Sequence, residues 1–116
     1  MVIKKIIINY LNNMLTKEQI EERNFKFQYS SDLSFSNDGS RDVYIADRKT
    51  KNKVNTDITY IPCLLEYYES GLLKITDYFD DPTKYKEYYF IGKVTTEQQL
   101  DDVLDTLKFT IENYKE

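Results

Sequence analysis

Apolar side chains at Ile3, Ile7, Tyr10, Leu11 and Met14 share one helical face, and this spacing predicts a helix over 3–14. The β-branched run Ile6-Ile7-Ile8 pulls towards a strand, and Lys4 and Lys5 lie at the dipole end that disfavours cations. Thr16 is followed three residues later by Gln19, a capping-box spacing that starts a second, short helix over 17–24.

The period then changes to two. Phe25, Phe27 and Tyr29 alternate with Lys26, Gln28 and Ser30, which predicts a strand. "SNDGS" at 36–40 is a turn signal. Strands are expected over 42–47 and 54–61, joined by the polar loop "RKTKNK" at 48–53. Further strands follow over 62–68, 72–79 and 86–94, separated by turns at Ser70-Gly71 and at "DDPTK". Connections this short favour antiparallel neighbours.

The last segment returns to helical spacing. Thr95 or Thr96 can cap with Gln98 or Gln99. Leu100, Val103, Leu104, Leu107, Ile111 and Tyr114 then form an apolar stripe. Glu97 in the first turn and Lys115 at the end suit the helix dipole. The expected fold is α+β in a single domain over 1–116. It is an antiparallel sheet of about five to six strands, flanked by an N-terminal helix and a C-terminal amphipathic helix.

A chain of 116 residues can form a core without metal or disulfide. Cys63 is the one cysteine and lies in the apolar run "YIPCLLEY", so a buried, inert thiol and a cytoplasmic setting are expected. Asn9, Asn12 and Asn13 interrupt the first apolar run, no small-residue cleavage site follows, and no stretch has the length of a membrane span.

Net charge is −4, but unevenly spread: residues 1–65 carry ten basic and eight acidic side chains, and residues 66–116 six basic and twelve acidic. An acidic chain argues against nonspecific binding to nucleic acid. Residues with AT-rich codons abound, so base composition is one source of the eleven tyrosines.

With no histidine, the commonest general base and the Ser-His and Cys-His pairs are missing. Three isolated glycines make no phosphate loop, and no cofactor is expected. Asp77, Asp80 and Asp81 are the residues on which a carboxylate-dependent metal enzyme would be built, although Asp-Asp-Pro is also ordinary turn chemistry. Arg48, Lys49, Lys51 and Lys53 cluster where a phosphate could be gripped, or where charges discourage edge pairing.

Strand parity places Tyr44, Tyr68, Tyr78 and Tyr89 on one outer face, with Val43 and Ile45 pointing inward. In the last helix Glu97, Asp101, Asp105 and Glu112 share an arc, relieved by Lys108, and Phe109 lies opposite the stripe. Aromatic rings with polar tips suit a protein interface. The expectation is a non-catalytic protein-binding module acting by surface occlusion, of the inhibitor, immunity or phage anti-defence kind, from a bacterium or phage. Its partner would carry a basic groove, and a homodimer through the aromatic face is a further option. The alternative is a nucleic-acid or nucleotide binder using residues 48–53 with stacking tyrosines.

Overall fold

The computed structural model describes residues 14–32, 37–51, 58–78, 87–107 and 109–114, without the side chains of Thr50 and Lys51. The expected helix over 3–14, apart from Met14, and the turn "DDPTK" lie outside the described residues.

Helix α1 spans Lys17–Glu21, shorter than the expected 17–24. Its predicted capping box is present: Gln19 N donates to Thr16 Oγ1, and Thr16 N donates to Gln19 Oε1. Asn24 at φ 73° reverses the chain into strand β1, Lys26–Ser31. Strands β2, Arg41–Lys51, and β3, Ile58–Tyr68, are each eleven residues long. Strand β4, Leu72–Asp77, and strand β5, Tyr88–Lys93, complete an antiparallel meander in the order β1-β2-β3-β4-β5. Gly71 at φ 92° supplies the left-handed residue of the β3–β4 turn, and its N–H donates to Tyr68 O.

Three boundaries differ from the sequence reading. First, residues 48–51 are not loop but the end of β2, paired with 58–61. Second, the strands expected over 54–61 and 62–68 merge into β3 through Pro62. An antiparallel residue aims its N–H and C=O at the same neighbour. Pro62 O accepts from Tyr78 N, so its missing N–H faces the end of β4, where the ladder stops, and none of the β2 bonds is lost.

Third, the last helix is shorter than expected. Helix α2 spans Glu97–Thr106, with a Thr96–Gln99 capping box, and Leu107 is already extended at ψ 143°. Residues Thr110–Glu112 form strand β6, paired with β2 at 47–49. Strands β1 and β6 thus lie end to end along one edge of β2, and Asn24 Nδ2 ties them by donating to Ile111 O at 3.0 Å. Helical spacing in 107–114 is outcompeted by the free edge of β2, where β-branched Thr110 and Ile111 gain a ladder.

Both helices and the main core lie on the sheet's first face. Tyr44, Ala46, Cys63, Leu65, Leu73 and Ile75 meet Leu15, Ile20 and Leu100 there. Each fully buried Leu or Ile contributes roughly 1.5–3 kcal/mol. Tyr67 is core as well. Its hydroxyl donates to Val94 O at 2.8 Å and accepts from Leu15 N at 3.2 Å, so a buried phenol joins segments before α1 and before α2.

Candidate functional site

Register sorts the remaining side chains by face, because directly paired residues point the same way. Val43 pairs with Glu66, Ile45 with Leu64 and Lys49 with Tyr60, all on the second face, opposite the helices. Tyr29 pairs with Val43, Ile91 with Lys74 and Tyr88 with Thr76, which places them on that face too. Tyr78 extends β4 by one residue opposite Pro62 and joins them.

The large exposed apolar residues among the described ones are Tyr29, Ile58, Tyr60, Tyr78, Tyr88 and Ile91, between 37% and 55% exposed. All six belong to the second face. The middle of that face is closed, with Val43, Ile45, Glu66, Tyr68 and Thr76 buried. The exposed rings form its rim. Along the rim, Tyr60, Tyr78 and Tyr88 are diagonal neighbours across β3, β4 and β5, roughly 7–8 Å apart by sheet geometry.

Cations accompany these rings. Lys49 stands directly opposite Tyr60. The Lys74 ammonium lies 5.2 Å from the Tyr68 ring centre and 6.0 Å from that of Tyr88. Lys93 is exposed beside Leu72. Neither Lys74 nor Lys93 has a carboxylate at ion-pair distance among the described residues. The acids of this face are occupied: Glu66 is buried against Arg41 and accepts from Tyr68 Oη, and Glu112 pairs with Lys49 at 4.0 Å. Burial alone would lower the Arg41 pKa, but attraction to Glu66 and a hydrogen bond with Tyr68 raise it overall.

The expectation that four tyrosines share one outer face is corrected. Tyr44 is buried on the helix-covered face at 1% exposure, and Val43 and Ile45 take the other side. All three are buried because the middle of β2 is covered on both faces, so polarity gave parity no purchase there. Tyr68 is on the second face, as expected, but in its closed middle. Tyr78 alone is on that face and exposed. Tyr89 is displaced by a bulge: Ile75 pairs with Phe90 but Thr76 with Tyr88, leaving Tyr89 as the extra residue.

That bulge sends Tyr89 to the helix-covered side, where its hydroxyl donates to Asp77 Oδ1 at 2.8 Å. Arg48 Nε donates to the same oxygen at 3.1 Å. Phe109 meets Tyr89 edge-on, ring centres 4.9 Å apart, and the Arg48 guanidinium lies 5.4 Å from Phe109 and 5.6 Å from Tyr89. Burial and the Asp77 bond raise the Tyr89 pKa. The structure therefore joins Arg48, Tyr89 and Phe109 as a lock between β2, β4, β5 and the segment after α2. Arg48 is turned away from Lys49, and the side chains of Lys51 and Lys53 are outside the description.

The acidic ridge is also partly engaged. Arg23 forks onto Asp101 with bonds of 2.7 and 3.2 Å and reaches Glu97 Oε1 at 3.3 Å. The bond from Arg23 holds the Asp101 pKa below the usual carboxylate range. Asp105 and Phe109 do share a shallow cleft of ≈ 410 Å³, with Arg23 and Leu104. Glu112 belongs to β6 and leaves the ridge.

Among the described residues no group of three His, Cys, Asp or Glu is arranged to hold a metal, and no helix is long and apolar enough to cross a membrane. Asp77 serves Arg48 and Tyr89, while Asp80 and Asp81 lie outside the described residues. Cys63 is fully buried, and burial pushes its thiol up to about 12.

Sequence reading missed Tyr29, Ile58, Tyr60, Tyr88, Ile91, Lys74 and Lys93. Tyr60 was within reach: carrying strand parity back through Pro62 puts it with Leu64, Glu66 and Tyr68. Tyr29 and Tyr88 were not, because bulges at Phe27/Tyr29 and Ile75/Thr76 break the alternation. Compared with protein-family models, with curated proteins and with solved structures, the chain matches none of them.

Proposed function

We propose that this chain is a non-catalytic binding module that lays the aromatic rim of its second sheet face against a macromolecular partner and acts by covering it. One observation carries this reading: among the described residues, the six large apolar side chains left in water lie on one face, although two other predicted binding aromatics were drawn into a lock elsewhere. Scattered exposed apolar residues need no explanation, but a one-sided concentration marks an interaction surface. Tyrosine presents a large rigid ring with a polar tip at little rotamer cost. A cytoplasmic setting fits the reduced, buried Cys63.

The test is photo-cross-linking in the native host with a probe at Ile91, comparing the native chain with Tyr78→Ser and Tyr88→Ser. A specific adduct that both substitutions abolish, with melting temperature unchanged, is the expected result. An adduct pattern identical in all three proteins overturns the reading.

A further inference from the structure

Among the described residues the charges are segregated by layer, and the sign at the aromatic rim is opposite to that of the whole chain. The helical layer carries Glu18, Glu21, Glu22, Glu97, Asp101, Asp102 and Asp105 against Lys17 and Arg23. The second face carries Lys26, Arg41, Lys49, Lys74 and Lys93 against Asp47, Glu66 and Glu112. Asp47 and Glu66 are buried, so the acids facing solvent there are fewer still. The net charge of −4 therefore misdescribes the surface a partner would meet at the rim, since charges beyond a Debye length are largely screened. A basic groove, the partner expected from the sequence, would be repelled there.

We propose that the partner is a single-stranded nucleic acid: the Tyr60–Tyr78–Tyr88 row takes successive bases, and Lys49 and Lys74 stand beside the phosphates. This rests on the second face being the contact surface. Three features favour a strand of bases over an acidic polypeptide. The tyrosines make a row rather than a pocket. Each has a flat face that stacks on any base without sequence readout. Lysines border the row at both ends: Lys49 opposite Tyr60, and Lys74 near Tyr88. Aromatic platforms on an antiparallel sheet, edged by cations, are a general physical solution for unpaired bases. A duplex would hide those bases, so it should bind less well.

The test is fluorescence anisotropy with a labelled single-stranded oligo(dT), its duplex with oligo(dA), and poly-L-glutamate. Two phosphate contacts on a single strand give a log–log salt slope of about −1.4, so affinity should fall about 20-fold between about 25 and 200 mM KCl. Tyr88→Ala should weaken single-strand binding by about 5- to 150-fold, with Tyr88→Phe retaining it. Lys49→Gln should flatten the slope by about 0.7. The Lys49 side chain is 38% exposed and meets Glu112 at 4.0 Å, the outer limit of an ion pair, so that variant tests the idea even if Tyr88→Ala fails to fold. No complex at the lower salt, binding indifferent to Tyr88→Ala and Lys49→Gln, or equal binding of poly-L-glutamate would each overturn the proposal. If the oligonucleotide fails while the cross-linked adduct still depends on Tyr78 and Tyr88, the contact surface stands and only its occupant is wrong.

Discussion

The two faces of the sheet use the same residue types for opposite ends. On the helix-covered face, aromatic rings and cations are consumed internally. Tyr67 bridges Leu15 and Val94, Tyr89 and Arg48 converge on one Asp77 oxygen, and Arg23 forks onto Asp101. On the second face Tyr88 and Ile91 are about half exposed, and Lys74 and Lys93 have no carboxylate partner among the described residues. The contrast shows that a tyrosine count says little about function. A phenol whose hydroxyl has two protein partners inside the core is a structural tie, whereas an exposed ring in a row of others presents part of its surface to solvent.

The sharpest way to break the comparison is to truncate matching apolar residues on the two faces. Leu73→Ala, at a fully buried site on the helix-covered face, should destabilise by about 2–5 kcal/mol in urea unfolding. Ile91→Ser, on the rim, should stay within about 0.5 kcal/mol. A large loss at Ile91 would mean that the rim is core in disguise.

Asp77→Ala should come next. It strips Arg48 and Tyr89 of a shared acceptor, with the Arg48 side chain only 17% exposed. The expected loss is about 2 kcal/mol, less than for a wholly buried pair because Arg48 keeps some water. Tyr89→Phe, which removes one hydroxyl from the same lock, should cost about 1 kcal/mol. Denaturant midpoints of the two variants and their double mutant would show whether the lock acts as one unit.

Thr96→Ala removes the α2 cap and should cost about 1 kcal/mol, read as a drop in melting temperature without any change at the second face.

The smallest effect is a pH dependence. Asp101 has a folded-state pKa below its unfolded value of about 3.9. Its contribution is therefore present above that value and lost as pH falls through the lower, folded pKa. Asp101→Asn should be slightly less stable at neutral pH, and the gap to the native protein should close below about pH 3.9. A gap that persists in acid would show that the Arg23 fork is not what shifts Asp101.

Local signals in the sequence were reliable where they stayed local. Both capping boxes form as Thr16–Gln19 and Thr96–Gln99 require, since a cap is satisfied within four residues. The Ser70-Gly71 turn, the antiparallel order and the α+β class are likewise present. Strand parity failed at Tyr44, where both faces of β2 are apolar, and at Tyr89, where a bulge inserts a residue. A shift of one position sends every later side chain to the other face.

By itself, then, the sequence determined where helices start, where chains turn, and that the strands form an antiparallel sheet, because these depend on neighbours a few residues apart. Only the tertiary structure decided that Pro62 lies within a continuous strand, that 110–112 leave the helix for the edge of β2, and which tyrosines remain in water. Those outcomes depend on which partner a backbone edge or a side chain meets across the fold, and that information is carried by register and bulges rather than by any short stretch of chain.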